Sequence, residues 1–316
     1  MRLHSLLRSA GLTDAPDAAA VDISAVDISA VDISAVDISA VHSDSRRVTP
    51  GALFVACDGL RTRGLDFVPA AARAGAAAIV IAADAELDLT GLDAATIERL
   101  AQIPIVRVDS PRQALGPLAS ASFDHPSHQL AVLAVTGTNG KTTTATLIAQ
   151  LLCACGQRAA ALGTLGLWTE AGVEPGGLTT PDAVDLQARL ATLRDRGFTV
   201  VVLEASSHAL DQARLLGTRL RVVGWTNLSR DHLDYHGDVA SYTAAKLRLF
   251  TELLPRDGTG WVNSDDPAAA LALGTPGVRG FSFGARPDAD AQVAGLQLSA
   301  EGLALRLHLR DDPRPL

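Results

Sequence analysis

Residues 130–144 read LAVLAVTGTNGKTTT. The stretch is apolar up to Thr136 and closes on Gly137, the pattern of a buried strand ending in a tight turn. A helix is expected from Lys141 to Cys155. Gly137 and Gly140 allow the turn and let backbone come close to a ligand, and the helix N-terminus offers unpaired N–H groups to phosphate. Lys141 then stands where it can neutralise β- and γ-phosphates, and Thr142 where it can ligate Mg²⁺. The loop is a short G-x-x-G-K-T form, because Val135 occupies the position at which G-x-x-x-x-G-K-[ST] needs glycine.

Outward from this stretch the pattern alternates. LFVA (53–56), residues 76–82 and PIVRV (104–108) read as strands, with helices expected over 67–75 and 112–123. Beyond the loop come a helix over 182–197, a strand over 199–205, a strand over 222–227 and a helix from Val239 to Leu254. GLQLS and LALRLHL near the end suggest a hairpin. Strands alternating with helices predict an α/β protein with a mainly parallel, helix-covered sheet. At ~100–200 residues per domain, 316 residues predict about two domains, drawn here as 1–109 and 110–316.

Composition narrows the function. A net charge of −8 argues against a nucleic-acid partner, which needs a basic face. No apolar run approaches the ~20 residues of a membrane span, and Arg8 interrupts any signal-peptide core in MRLHSLLRSAG. The three cysteines lack metal-ligand spacing and are expected to be buried, reduced thiols of a cytoplasmic protein. Of 27 Lys plus Arg, only Lys141 and Lys246 are lysine. Arginine serves elsewhere as the generic cation, so these two are suspected of chemistry that a permanently charged guanidinium cannot perform. Asparagine and tyrosine are also scarce, and Asn139, Asn227, Tyr235 and Tyr242 fall around the loop or within 225–250.

Two further segments carry chemistry. TNLSRDHLDYHGDVASYTAAKLRLF (226–250) follows a strand end, where α/β sheets place ligands. Asp231 and His232 there could serve a metal or its surroundings, the alternative being a structural histidine. Lys246 lies in an Ala-rich helix, where a neutral, reactive amine is the sharper reading. In VVVLEASSHAL (200–210), Glu204 ends a strand, a usual place for a Mg²⁺ ligand.

Residues 20–39 are four identical copies of AVDIS. A five-residue period flips the apolar face from copy to copy, so one continuous strand cannot bury it. The last copy, with Ala40 and Val41, is assigned to a native strand, and the earlier three to an extension, either a loop or an added strand. The alternative is a pentapeptide solenoid, for which four copies build about one coil.

VTGTNGKTTT, LTTPDAVDLQ, LEASSHAL, TNLSRDHLDYHGD and YTAAKLRLF, in this order, resemble the Mur ligases, and among them the MurE branch. SDSRRVTPGALFVACDG (43–59) resembles the N-terminal uridine-binding domain of the same family. The resemblance implies a uridine-binding α/β domain followed by a central P-loop-type ATPase domain. The family's third, C-terminal ligase domain is expected to lie outside this sequence. The implied reaction is ATP-driven addition of the third amino acid to UDP-N-acetylmuramoyl-L-alanyl-D-glutamate through an acyl phosphate. The family's commoner amino acid is meso-diaminopimelate, with lysine the other choice. Such a protein serves peptidoglycan synthesis, and through it cell shape and division, as a cytoplasmic monomer that inserts in no membrane.

The resemblance also assigns residues. Gly137, Thr138, Asn139, Gly140, Lys141, Thr142 and Thr143 would hold ATP, with Asn263 near the nucleotide. Thr142, Glu204, His232 and Lys246 would hold two Mg²⁺ ions, Lys246 as a carbamate formed with CO₂. Lys141, Lys246 and His232 would be catalytic. Ser45, Thr179, Thr180, Ser206, Gln212 and Arg214 would contact the UDP-muramoyl-dipeptide. Two other readings stand beside this one: a fragment of such a ligase that binds nucleotide or UDP-sugar without ligating, and a folylpolyglutamate-type ligase.

Overall fold

Short β-branched and apolar runs build one parallel and one mainly parallel sheet, one in each of two units of a computed structural model that describes residues 1–12, 35–59, 61–300 and 302–310. The first unit comprises Met1–Pro126, Asp182–Thr192 and Ala213–Thr218. Its sheet runs β1 (Val41–His42), β2 (Leu53–Val55), β3 (Ala78–Ala82), β4 (Ile105–Val108), in that order and all parallel. Both faces are buried, which explains why these strands read as continuous apolar runs rather than alternating ones. Leu53, Val55, Val80 and Val106 face a cluster with Leu3, Leu6 and Leu7 of α1 (Leu3–Ser9) and Leu118 of α4 (Pro111–Ser122). Phe54, Ile79 and Ile81 face the other side, with Val68 of α2 (Val68–Arg73) and Leu100 of α3 (Ala94–Gln102). Ser110 caps α4 by accepting from Gln113 N, and Pro111 takes the first helical position, where its missing N–H costs nothing. This unit extends through Pro126, so α4 belongs to it and not to the unit expected to start at residue 110.

The second unit comprises Ser127–Pro181, Leu193–Gln212 and Arg219–Leu316. Its strands are β5 (Ala131–Thr136), β6 (Ala159–Gly163), β7 (Gly166–Thr169), β8 (Gly172–Glu174), β9 (Val200–Glu204), β10 (Leu220–Trp225), β11 (Thr259–Asn263), β12 (Arg279–Gly284), β13 (Ala291–Ser299) and β14 (Gly302–Leu309). Among the described residues the sheet order is β14-β13-β12-β11-β10-β5-β9-β6-β7-β8. From β13 to β6 every pairing is parallel, and the antiparallel pairs lie at the edges, β13–β14 and the β6–β7–β8 meander. Its helices are α5 (Lys141–Ala154), α7 (Ser207–Asp211), α8 (Leu233–His236), α9 (Val239–Thr251) and α10 (Ala269–Leu273). A further helix, α6 (Ala183–Asp195), has its first ten residues in the first unit. The chain leaves β5 toward β6 on one side and crosses from β9 to β10 on the other. β5 therefore sits at a switch of direction, the place where such sheets open a crevice at the strands' carboxyl ends.

Two further expectations are corrected. Ala35–Ala40 form no ladder, and only Val41 and His42 pair with β2. This copy of the repeat bonds instead to the chain start: Leu3 N donates to Val36 O, Ile38 N donates to Met1 O, and Arg2 bridges Asp37. The three earlier copies lie outside the described residues. The cysteines are free but not all buried: Cys57 and Cys153 are half-buried, and Cys155, at the C-cap of α5, is exposed. Among the described residues no helix is long and apolar enough to cross a membrane.

Candidate active site

Five strands of the second unit deliver chemistry at their carboxyl ends: β5 the glycine loop, β6 Thr164, β9 Glu204, β10 Thr226 and Asn227, β11 Asn263. The loop turns at Gly137 with φ +143°, where a Cβ would meet Thr226 Oγ1 at 2.0 Å. Gly140, φ +83°, is the N-cap of α5. The end of β10 holds the loop. Asn227 O accepts from Thr138 N at 2.8 Å, its Oδ1 accepts from Asn139 N at 3.0 Å, and Asn139 O accepts from Thr226 Oγ1 at 2.7 Å. The backbone of Asn139 is therefore engaged by protein. The first turn of α5, from Lys141 to exposed Thr143, presents the N–H groups that have no intrahelical acceptor.

Lys141 folds back on the loop and donates from Nζ to Gly137 O at 2.9 Å and Thr138 O at 2.8 Å. Burial pulls its pKa below the ordinary lysine value, against Glu204 and Asp231. Lys246, 1% exposed on α9, donates to the same Gly137 O at 2.7 Å from 109 residues away. Its Nζ lies 4.6 Å from the Tyr242 ring centroid. Burial, then the neighbouring Lys141 charge, lower its pKa to about 7, opposed by Asp231. Tyr242 in turn shares a hydrogen bond with Thr138 Oγ1 at 3.1 Å.

Glu204 is 2% exposed, and its carboxylate accepts from Thr142 Oγ1 (2.9 Å), Thr164 N (2.8 Å) and Thr164 Oγ1 (3.2 Å). Its backbone carbonyl accepts from Thr180 Oγ1 at 2.5 Å, and Thr180 Oγ1 accepts from Ser206 N at 3.2 Å. Ser206 caps α7, accepting from Ala209 N. Thr179 Oγ1 lies 3.1 Å from Thr164 Oγ1. Residues expected to hold metal and residues expected to hold acceptor substrate thus meet around one carboxylate.

The remaining predicted residues fall in several places. His232, φ +52° at the N-cap of α8, packs edge-on against His208 with centroids 4.8 Å apart, beside the Tyr242 ring. Gln212 Nε2 donates to Tyr235 Oη at 3.1 Å. Asn263 Nδ2 donates to Thr226 O at 2.9 Å, tying the end of β11 to that of β10. Ser45, which opens a 3₁₀ turn capped by Asp44, and half-buried Arg214 belong to the first unit. Among the described residues no three His, Cys, Asp or Glu side chains form a metal cluster. Glu204 with Thr142 still suits Mg²⁺, which commonly takes one or two protein oxygens and fills its shell with phosphate and water. The sequence reading missed Gly163, Thr164, Thr226 and the structural parts of Asn227 and Tyr242. The scarcity of Asn and Tyr marks the last two, but nothing local marks Thr164.

A glycine-lysine-threonine turn between the central strand of a parallel sheet and a helix defines the P-loop type of α/β fold. Within that class the chain belongs to the Mur ligase family: residues 135–313 match the Mur ligase middle domain, and residues 37–123 match the Mur ligase family catalytic domain. It is 41% identical over 271 residues to a UDP-N-acetylmuramoyl-L-alanyl-D-glutamate–2,6-diaminopimelate ligase of Alkalilimnicola ehrlichii, covering 84% of this chain and 53% of that protein. A protein of the same name from Xylella fastidiosa is 40% identical over 274 residues, covering 85% of this chain and 53% of that one. A solved structure of a ligase of this name aligns with TM-score 0.72 and 31% identity, covering 86% of this chain and 54% of that one. The chain spans about half the length of these relatives.

Proposed function

We propose that this chain carries the ATP site and the UDP-substrate site of a ligase that joins an amino acid, meso-diaminopimelate, to UDP-N-acetylmuramoyl-L-alanyl-D-glutamate. The observation that carries the reading is the gathering of Lys141, Lys246, Thr142 and Glu204 at one turn of backbone, at the sheet's switch point. The names of the relatives supply the substrates.

The loop and the first turn of α5 receive the triphosphate. Lys141 exchanges its two carbonyl partners for phosphate oxygens and balances their charge. Thr142 and Glu204 would hold Mg²⁺, and its charge would offset the negative charge that develops on the transferring phosphate. On the family resemblance, Thr179, Thr180, Ser206, Gln212 and Arg214 contact the UDP-muramoyl-dipeptide, and Ser45 makes a contact in the uridine region. The glutamyl carboxylate attacks the γ-phosphorus, ADP leaves, and the amine of the incoming amino acid displaces phosphate from the acyl phosphate. Burial lowers the Lys246 pKa to about 7, which favours a neutral amine; such an amine would take up CO₂ with loss of a proton, and the resulting carbamate, with His232, would be the group to hold a second Mg²⁺.

Two measurements test this. Calorimetric titration of residues 1–316 with UDP-muramoyl-dipeptide and with an ATP analogue should show saturable binding of both. A chain that binds the ATP analogue and not the UDP-dipeptide overturns the substrate reading. In a full-length ligase bearing this sequence, Lys246→Arg should abolish diaminopimelate incorporation while leaving nucleotide binding intact, since a guanidinium forms no carbamate. Wild-type turnover in that variant rules the carbamate out.

A further inference from the structure

We propose that Thr164 is a positioning residue: it sets the orientation of the Glu204 carboxylate and links it to Thr179. The role rests on the reading of Glu204 as a Mg²⁺ ligand. Thr164 lies in the turn from β6 to β7 and reaches Glu204 twice, through N–H to Oε1 at 2.8 Å and through Oγ1 to Oε2 at 3.2 Å. Oε2 also accepts from Thr142 at 2.9 Å. Each carboxylate oxygen is thereby tied, and rotation about the terminal torsion breaks at least two hydrogen bonds. Gly163 makes this approach possible, because a Cβ there would stand 1.8 Å from Glu204 Oε1.

The direction of the hydroxyl chain follows from valence. A threonine hydroxyl has one proton to donate and two lone pairs. Thr164 gives its proton to Glu204 and so accepts from Thr179 Oγ1, 3.1 Å away. The order is Thr179 to Thr164 to Glu204. A ligand that takes the proton of Thr179 alters the charge on the Thr164 oxygen and the strength of its bond to Glu204. Acceptor substrate and metal are coupled through two hydroxyls. Partners of this kind, one bond behind a ligating carboxylate, typically change metal affinity by 10–100-fold when removed.

The test is Mn²⁺ binding to the nucleotide-free 316-residue chain, read from the loss of free Mn²⁺ signal in electron paramagnetic resonance, with ADP binding measured separately by calorimetry. Thr164→Val keeps the shape and the N–H bond but deletes the hydroxyl; it should weaken Mn²⁺ binding about tenfold. Thr164→Ser restores the hydroxyl and should stay within about twofold of wild type. Thr164 is exposed, so both variants should melt with wild type. Unchanged Mn²⁺ affinity in Thr164→Val, or equal losses in Val and Ser, overturns the positioning role. A wild-type chain that binds ADP but no Mn²⁺ overturns the metal reading of Glu204 itself.

Discussion

Lys246 donates its only hydrogen bond among the described residues to Gly137 O and has an aromatic ring on its flank. Burial holds its pKa near 7, below the ordinary 10.5. Between those values the unfolded chain binds a proton that the folded chain does not, so this group makes stability rise with pH from about 7 to 10.5. Below pH 7 both states are protonated and the cost of burying the charge is fully present. Lys246→Met removes that slope. In CO₂-free buffer the melting temperature of the Met variant, relative to wild type, should be highest near pH 6.5 and fall as pH rises to 9.5. An offset that stays flat with pH would mean the amine is not strained by burial. The rarity of lysine singles out this residue and Lys141, but not the carbonyl on which both converge.

At the scale of elements, the β5–loop–α5 unit depends on how closely β10 approaches it. Gly137 combines φ +143° with a neighbour at 2.0 Å from any added Cβ. Gly137→Ala must shift either the loop or Thr226, at about 1–3 kcal/mol of strain. That shift would break the bonds from Asn227 and Thr226 that shape the phosphate turn. The expected outcome is a lower melting temperature and at least a tenfold loss of ATP-analogue affinity by calorimetry. A variant that melts and binds like wild type would show the turn to be adaptable. The β13–β14 hairpin shows how a pattern can be legible without its setting. The alternation of Leu303, Leu305, Leu307 and Leu309 predicts a strand with one apolar face, yet all four are exposed.

At the scale of the molecule, each unit owns a buried core, and of the AVDIS array only the last copy lies among the described residues. Val36 and Ile38 of that copy pack on the first unit's core. Deleting Ala20–Ser34 removes three whole units and keeps the junction sequence, because the copies are identical. Successive units carry their apolar residues at opposite parities in the sequence, and loop entropy grows slowly with length. The deletion should therefore change stability by no more than roughly 1 kcal/mol and UDP-dipeptide affinity by no more than about threefold. Collapse of expression or binding would make the repeat structural.

What the residues determined alone is what depends on near neighbours along the chain. The glycine turn, strands β2–β5, β9 and β10, helices α2, α4, α5, α6 and α9, and the motif order that marks the Mur ligases follow from spacing and residue type within a few positions. Domain limits and the short edge strands did not: α4 joins the first unit and β6–β8 form a meander, outcomes set by packing rather than by local pattern. Only the tertiary structure decided that β10, β5 and β9 lie side by side. Through that order Glu204 meets Thr142 and Thr164, and Lys246 reaches Gly137 across 109 residues. Strand order has no local signature. It is chosen by which faces can be buried together, and the site is the consequence of that choice.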